Sequence, residues 1–341
     1  MRAAVFEAEG LKLAIADRPT PTAGPGELVL RVGFCGICGS DLHATEPSPF
    51  PLDRGTVLGH EFAGTVAATG APDWQVGDRA IGVPLMPCAD CAPRGDCRDA
   101  LGILCPRGRI IGLAASAPGA YAEYVRLPAR MALRVPAGLD LAHAALAEPL
   151  AVGAHAVRKA GALLGARVLV IGAGPIGLAV TAFAALSGPR VLAVSEPDPA
   201  RRERALGLGA AHGIDPSQDA VAASFARAAG GPPEVVFECA GATGLLRHAI
   251  EVAGISARVV VVGVCRTEDT LLPRVAIRKE LSVQFVLGYV RDDFALVLDT
   301  LAAGRIDAAR FITRVIGLDA LPDTFESLRH PNPEAKVLIA P

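Results

Sequence analysis

The stretch "VLVIGAGPIGLAV", residues 168–180, limits what this chain can fold into more than any other. A short apolar run ends at Gly172, and Gly174 and Gly177 follow at the spacing Gly-x-Gly-x-x-Gly. The next residues continue as an uninterrupted apolar segment of helical length. Between Arg167 and Arg190 lie 22 uncharged residues, enough to span a bilayer. Glycines and a proline near the start would interrupt a spanning helix, so the stretch reads as strand, tight turn and helix.

The surroundings repeat that alternation. "RVLAVSE" precedes "DPARRERALGLGA", "EVVFECAG" precedes "TGLLRHAIEVA", and "ARVVVVGV" follows. Val-rich runs alternating with helical stretches predict a parallel sheet covered on both faces, a doubly wound α/β domain over 148–287. Residues 1–147 are rich in Gly and Pro, with short apolar runs such as "GELVLRVGF" and "FAGTVAATG" that predict a β-rich domain. Residues 288–341 return to a mixed pattern, with a helix in "RDDFALVLDTLAAG" and a closing strand in "AKVLIA". A length of 341 residues fits about two domains.

In that setting the glycine turn is a dinucleotide-binding motif. Gly172 permits the turn, Gly174 lets backbone approach a pyrophosphate, and Gly177 allows helix and strand to pack closely. Pro175 and Ile176 open the helix whose free N–H groups face the phosphates. Glu196 ends the second strand, nineteen residues after Gly177. A carboxylate there accepts from both adenosine ribose hydroxyls and repels a 2′-phosphate, which favours NAD. Arg201 and Arg202 nearby keep NADP open as the less favoured cofactor. A net charge of −2 without a basic stripe argues against nucleic acid as a partner. The N-terminal stretch lacks the apolar core of a secretory signal, so the expected setting is cytoplasmic, where thiols are reduced and clustered cysteines mean metal or catalysis.

Of the eight cysteines, Cys38 lies in "FCGICGSDLH", about twenty residues before "LGHEFAG" with His60 and Glu61. Thiolate, imidazole and carboxylate together suit zinc, and three protein ligands with an open position describe a catalytic site. Glu148 in "LAEPLAV", at the seam between the two domains, is a further candidate ligand. Cys35 could pair with Cys38 as a redox Cys-x-x-Cys motif, but such a motif opens a βαβ unit and this one lies in the β-rich part; Cys35 reads as a small buried residue.

These motifs, with "GDRA", a cysteine-rich loop, "GAYAEYV" and "EPLAV" in the same order, resemble the zinc-dependent medium-chain dehydrogenases of the alcohol, sorbitol and butanediol group over essentially the whole length. The resemblance implies a GroES-like catalytic domain interrupted by a Rossmann domain. It also implies catalytic zinc at Cys38 and His60, with Glu61, Glu148 or water completing the sphere. By position, Ser40 and His43 match a proton relay, and Asp41 matches the acid that orients the zinc-binding histidine. Relatives of this kind are usually dimers or tetramers. Their four-cysteine loop holds a structural zinc with gaps of two, two and seven residues. Here Cys88, Cys91, Cys97 and Cys105 are separated by two, five and seven. Four thiolates would close such a site; a loop without metal, or one oxidised to disulfides, is the alternative.

The implied reaction is oxidation of a secondary alcohol or vicinal diol to a ketone. A polyol dehydrogenase is the alternative within enzymes, and a non-catalytic nucleotide-binding protein the alternative outside them. Sorbitol-type relatives carry an arginine before a tyrosine where this chain has Gly288 and Tyr289, beside Val286 and Leu287, which leans away from sugar alcohols.

Overall fold

The computed structural model describes residues 1–47, 51–86, 105 and 108–341. The chain divides into two compact units: Met1–Glu148 with Val290–Asn332 and Lys336–Pro341, and Pro149–Tyr289 with Pro333–Ala335.

The first unit is organised by one long strand, Glu27–Gly36. It pairs antiparallel with Glu61–Thr69, with Tyr124–Pro128 and with the late strand Lys336–Ala340. Ile312–Gly317 flanks that late strand in parallel, while Arg79–Gly82 and Ala132–Arg134 extend the other side. Leu28, Leu30 and Val32 alternate toward one core from the long strand, as the period of two along a strand dictates. They pack with Phe62, Tyr121, Phe325 and Ile339 into a core that joins early and late parts of the chain. The register sets Gly36 opposite Glu61 on one side and opposite Leu338 on the other.

The second unit is a six-stranded, wholly parallel sheet among the described residues. Its strand order is His212–Ile214, Val191–Ser195, Arg167–Ile171, Val235–Glu238, Arg258–Val261 and Ser282–Phe285. The interior strands are buried almost throughout, as expected where helices cover both faces. The glycine stretch folds as strand Arg167–Ile171, a turn, and the helix Pro175–Leu186. Among the described residues, no helix is long and apolar enough to cross a membrane. The last strand, Ser282–Phe285, is an edge with every residue exposed. Gly288 has φ +62°, a left-handed conformation that disfavours arginine there for backbone reasons alone.

Candidate active site

The strand Glu27–Gly36 delivers the chain to Cys38, where the helix Gly39–Ala44 begins. One carboxylate organises this turn. Asp41, fully buried, accepts from the Cys38 backbone N–H at 3.2 Å and from the Tyr121 hydroxyl at 2.6 Å through Oδ2. Its Oδ1 lies 3.1 Å from Nδ1 of His60. That contact leaves Nε2 of His60 for another partner, and Ser40 Oγ stands 3.4 Å from it.

His60 and Glu61 enter from the neighbouring strand, so the sheet register brings them beside Cys38. The sulfur, an imidazole nitrogen and a carboxylate oxygen of Cys38, His60 and Glu61 lie within 4.8 Å of one another. Glu61 is 1% exposed, and its Oε2 is buried without a hydrogen-bond partner. A side chain at Gly36 would collide with that oxygen. Soft and borderline donors around an orphaned buried oxygen, in a cradle kept open by a glycine, fit a zinc ion. Glu148 is buried in the first turn of the helix Ala147–Ala160 but lies outside this group of mutually close donors.

His43, on the same helix as Ser40, exposes about half its side chain and sets Nδ1 3.4 Å from Glu46 Oε2. Arg329 donates to the Leu42 carbonyl at 2.9 Å and to Thr45 Oγ1 at 2.6 Å, fastening the end of that helix. Cys35 is wholly buried and pushed up by desolvation first, which keeps it a protonated thiol. Cys88, Cys91 and Cys97 lie outside the described residues. Cys105 is described and buried.

In the second unit the glycines divide their labour. Gly172 takes φ +92°, which a side chain rarely adopts. A Cβ at Gly177 would strike the Gly172 carbonyl, whereas one at Gly174 would meet nothing within 4 Å. Gly172 and Gly177 are therefore needed by the fold, and Gly174 guards open space at the helix start. Glu196 Oε2 accepts from the Ala173 N–H at 2.7 Å and Oε1 from the Asp198 N–H at 3.0 Å. Glu196, Arg201 and Gly172 line a cavity of about 610 Å³ together with Ala240, Leu245 and His248. Arg202 is committed to the carbonyls of Glu196 and Pro197 and to Asp215. Arg201 Nε is buried without a hydrogen-bond partner.

Residues 24–137 match the alcohol dehydrogenase GroES-like domain and residues 175–303 match the zinc-binding dehydrogenase domain. The chain is a zinc-dependent medium-chain dehydrogenase. The (R,R)-butanediol dehydrogenase of Bacillus subtilis (strain 168) is 32% identical, with 94% of each chain covered. The D-xylulose reductase A of Aspergillus oryzae is 31% identical over 95% of this chain and 93% of its own. A solved zinc-binding dehydrogenase from Sinorhizobium meliloti 1021, bound to NADP, superposes with a TM-score of 0.91 at 32% identity, covering 100% of this chain and 99% of that one.

Two partners of this donor group carry no local signal in the sequence that ties them to it. Tyr121 sits inside "GAYAEYV" and bonds Asp41 from 80 residues away. Lys336, the lone charge in "AKVLIA", lies buried with Nζ 2.7 Å from Glu61 Oε1. A lysine inside an apolar strand was the available signal, because a buried ammonium needs a partner. Without metal, burial lowers the His60 pKa, but the Asp41 charge and hydrogen bond outweigh it and hold His60 well above the imidazole range. Burial likewise opposes Asp41, yet His60, Tyr121 and the Cys38 N–H hold its carboxyl below the usual value.

Proposed function

We infer that this dehydrogenase oxidises a secondary alcohol or vicinal diol with NAD⁺ to give ketone, NADH and a proton, reversibly. The observation that carries the reading is the Cys38–His60–Glu61 donor set, buried at His60 and Glu61, with its unpartnered carboxylate oxygen. Cys38, His60 and Glu61 would hold the zinc; Glu61 is preferred to Glu148 because only Glu61 belongs to the close group. Zinc, when bound, supplies a Lewis acid of the kind that lowers the pKa of water from 15.7 to about 7. The dinucleotide supplies the hydride acceptor.

The chain's own residues supply the rest. Asp41 fixes the His60 ring with Nδ1 turned away from the donor group, so Nε2 is the ligand nitrogen. Ser40, exposed beside Nε2, takes the substrate hydroxyl proton, and half-exposed His43 hands it to water. Gly172, Gly174, Pro175, Ile176 and Gly177 form the pyrophosphate turn. Glu196 keeps lone pairs beyond its two backbone bonds for ribose hydroxyls. Its buried negative charge supports NAD over NADP, with Arg201 the residue through which a 2′-phosphate would be accommodated.

The butanediol dehydrogenase resemblance supports a diol substrate, and the D-xylulose reductase resemblance makes polyols the second reading. The exposed edge Ser282–Phe285, with Phe285 64% exposed, favours a homo-oligomer in which that strand pairs with a second copy. The Cys38 thiolate suits a reducing cytoplasm. A panel of secondary alcohols, butanediols and polyols, followed by NADH absorbance with NAD⁺ and with NADP⁺, tests the whole reading. Turnover of xylitol or sorbitol with none of butanediol would replace the diol assignment by the polyol one.

A further inference from the structure

Lys336 is the most unusual charge in the first unit. Its side chain is 3% exposed in the strand Lys336–Ala340, where neighbouring residues are apolar. Nζ donates to the Ile37 carbonyl at 3.0 Å and to Glu61 Oε1 at 2.7 Å. An ammonium at that depth is costly unless paired, and removing one member of such a pair strands the other. Ordinary core pairing explains Oε1. It does not explain why the second oxygen of the same carboxylate, Oε2, is buried with no hydrogen-bond partner.

The two oxygens of Glu61 face different tasks. Oε1 is held by the ammonium, while the carboxylate joins Cys38 and His60 within 4.8 Å. Gly36 leaves room for Oε2, since a Cβ there would overlap it and crowd the Lys336 stem. Cys38 and the Glu61 and Glu148 carboxylates all favour the charged form of Lys336, so its ammonium stands on the anionic side of the donor set.

We propose that Lys336 is a positioning residue that occupies one Glu61 oxygen, so that Glu61 ligates the metal through the other oxygen alone, and that stands as the fixed counter-cation of the donor set. This rests on the metal site proposed above and deepens it. Lysine suits the task as a compact point charge that needs no planar fork. Without it, Oε1 is released and the carboxylate is free to chelate with both oxygens, raising the coordination number and consuming the open position a catalytic site needs.

The test uses the metal-exchanged holoprotein with cobalt(II), whose visible bands weaken as four-coordination gives way to five or six. Subtracting the spectrum of Cys38→Ser isolates this site from any cobalt bound elsewhere. Lys336→Met is expected to lose several-fold in band intensity. An unchanged spectrum in folded Lys336→Met overturns the proposal and leaves only a core ion pair. X-ray absorption at the zinc edge of the wild-type protein needs no variant. A single near carboxylate oxygen is expected, and a second, longer oxygen in the wild type also overturns the proposal. If Cys38→Ser keeps the full cobalt spectrum, the metal is elsewhere and the parent reading fails instead.

Discussion

Asp41 holds His60 by one ring nitrogen and leaves the other to the donor group: Oδ1 lies 3.1 Å from Nδ1. Tyr121 and the Cys38 N–H hold the other carboxylate oxygen. Such outer contacts fix the tautomer and the ring plane, and their loss typically weakens metal binding 10- to 100-fold. Asp41→Asn should therefore reduce zinc affinity by roughly that factor, measured by chelator competition. Tyr121→Phe leaves the His60 contact intact and should cost less. Equal losses in the two variants would mean that Asp41 acts only through the helix start.

The same pair makes the metal-free protein sensitive to pH in a direction that can be worked out. His60 is raised in the folded state, so its contribution is complete below the unfolded value of about 6.5 and is lost as pH rises through the higher folded value. Asp41 is lowered, so its contribution is complete above about 3.9 and is lost as pH falls through the folded value. Melting temperature of chelator-treated protein should fall on both sides of that window. Zinc replaces the His60 proton, so the alkaline fall should be reduced in the loaded protein. Identical alkaline limbs with and without zinc would count against His60 as a ligand.

Gly174 and Gly177 separate a fold requirement from a cofactor requirement within one turn. Gly174→Ala meets open space and should melt like the wild type while the KM for NAD⁺ rises about tenfold or more. Gly177→Ala drives a methyl into the Gly172 carbonyl and should destabilise the protein by about 1–3 kcal/mol. Calorimetry and cofactor titration on both variants check the contrast. A Gly174→Ala protein with an unchanged KM would remove Gly174 from the phosphate site.

Glu196 tests cofactor choice. Glu196→Ala removes the charge that repels a 2′-phosphate, beside Arg201. The ratio of kcat/KM for NAD⁺ to that for NADP⁺ should fall at least about tenfold, a change worth roughly 1.4 kcal/mol. The two backbone N–H bonds are lost as well, so some stability goes with them. An unaltered ratio would assign Glu196 to shaping the turn alone.

Ser40→Ala should lower kcat by roughly 10²–10⁴-fold, the range for a positioned proton-transfer group, while zinc content stays at the wild-type level. A normal rate would take Ser40 out of the relay. His43→Ala should lose less, and small imidazole buffers should restore part of the rate, because the ring stands half in solvent.

Much of this was legible in the chain because it is local. Gly172, Gly174 and Gly177 act over six residues, and Cys38 with the His60–Glu61 pair is readable because zinc restricts its donors to few side-chain types. What sequence left open was geometric. It offered both Glu61 and Glu148, and the sheet register that sets Glu61 beside Gly36, with Glu61 in the close group, is what supports the proposal of Glu61. Tyr121 and Lys336 were not singled out because their partners lie 80 and 275 residues away, and no local pattern encodes a contact at that range. The position of Glu196 predicts a ribose acceptor, but its bonds to the Ala173 and Asp198 N–H groups are set by the fold of the turn and have no sequence pattern.

The separation of 275 positions from Glu61 to Lys336 is also an interval of time. At about 5–20 residues per second, a ribosome makes Cys38, His60 and Glu61 roughly 15–55 s before Lys336. A nascent chain therefore carries the three candidate donors long before the ammonium that pairs with Glu61. Ion capture in that interval would meet a carboxylate with both oxygens free. If Lys336 has the role proposed above, a metal held through one Glu61 oxygen has to wait until the strand Lys336–Ala340 has closed on Ile37.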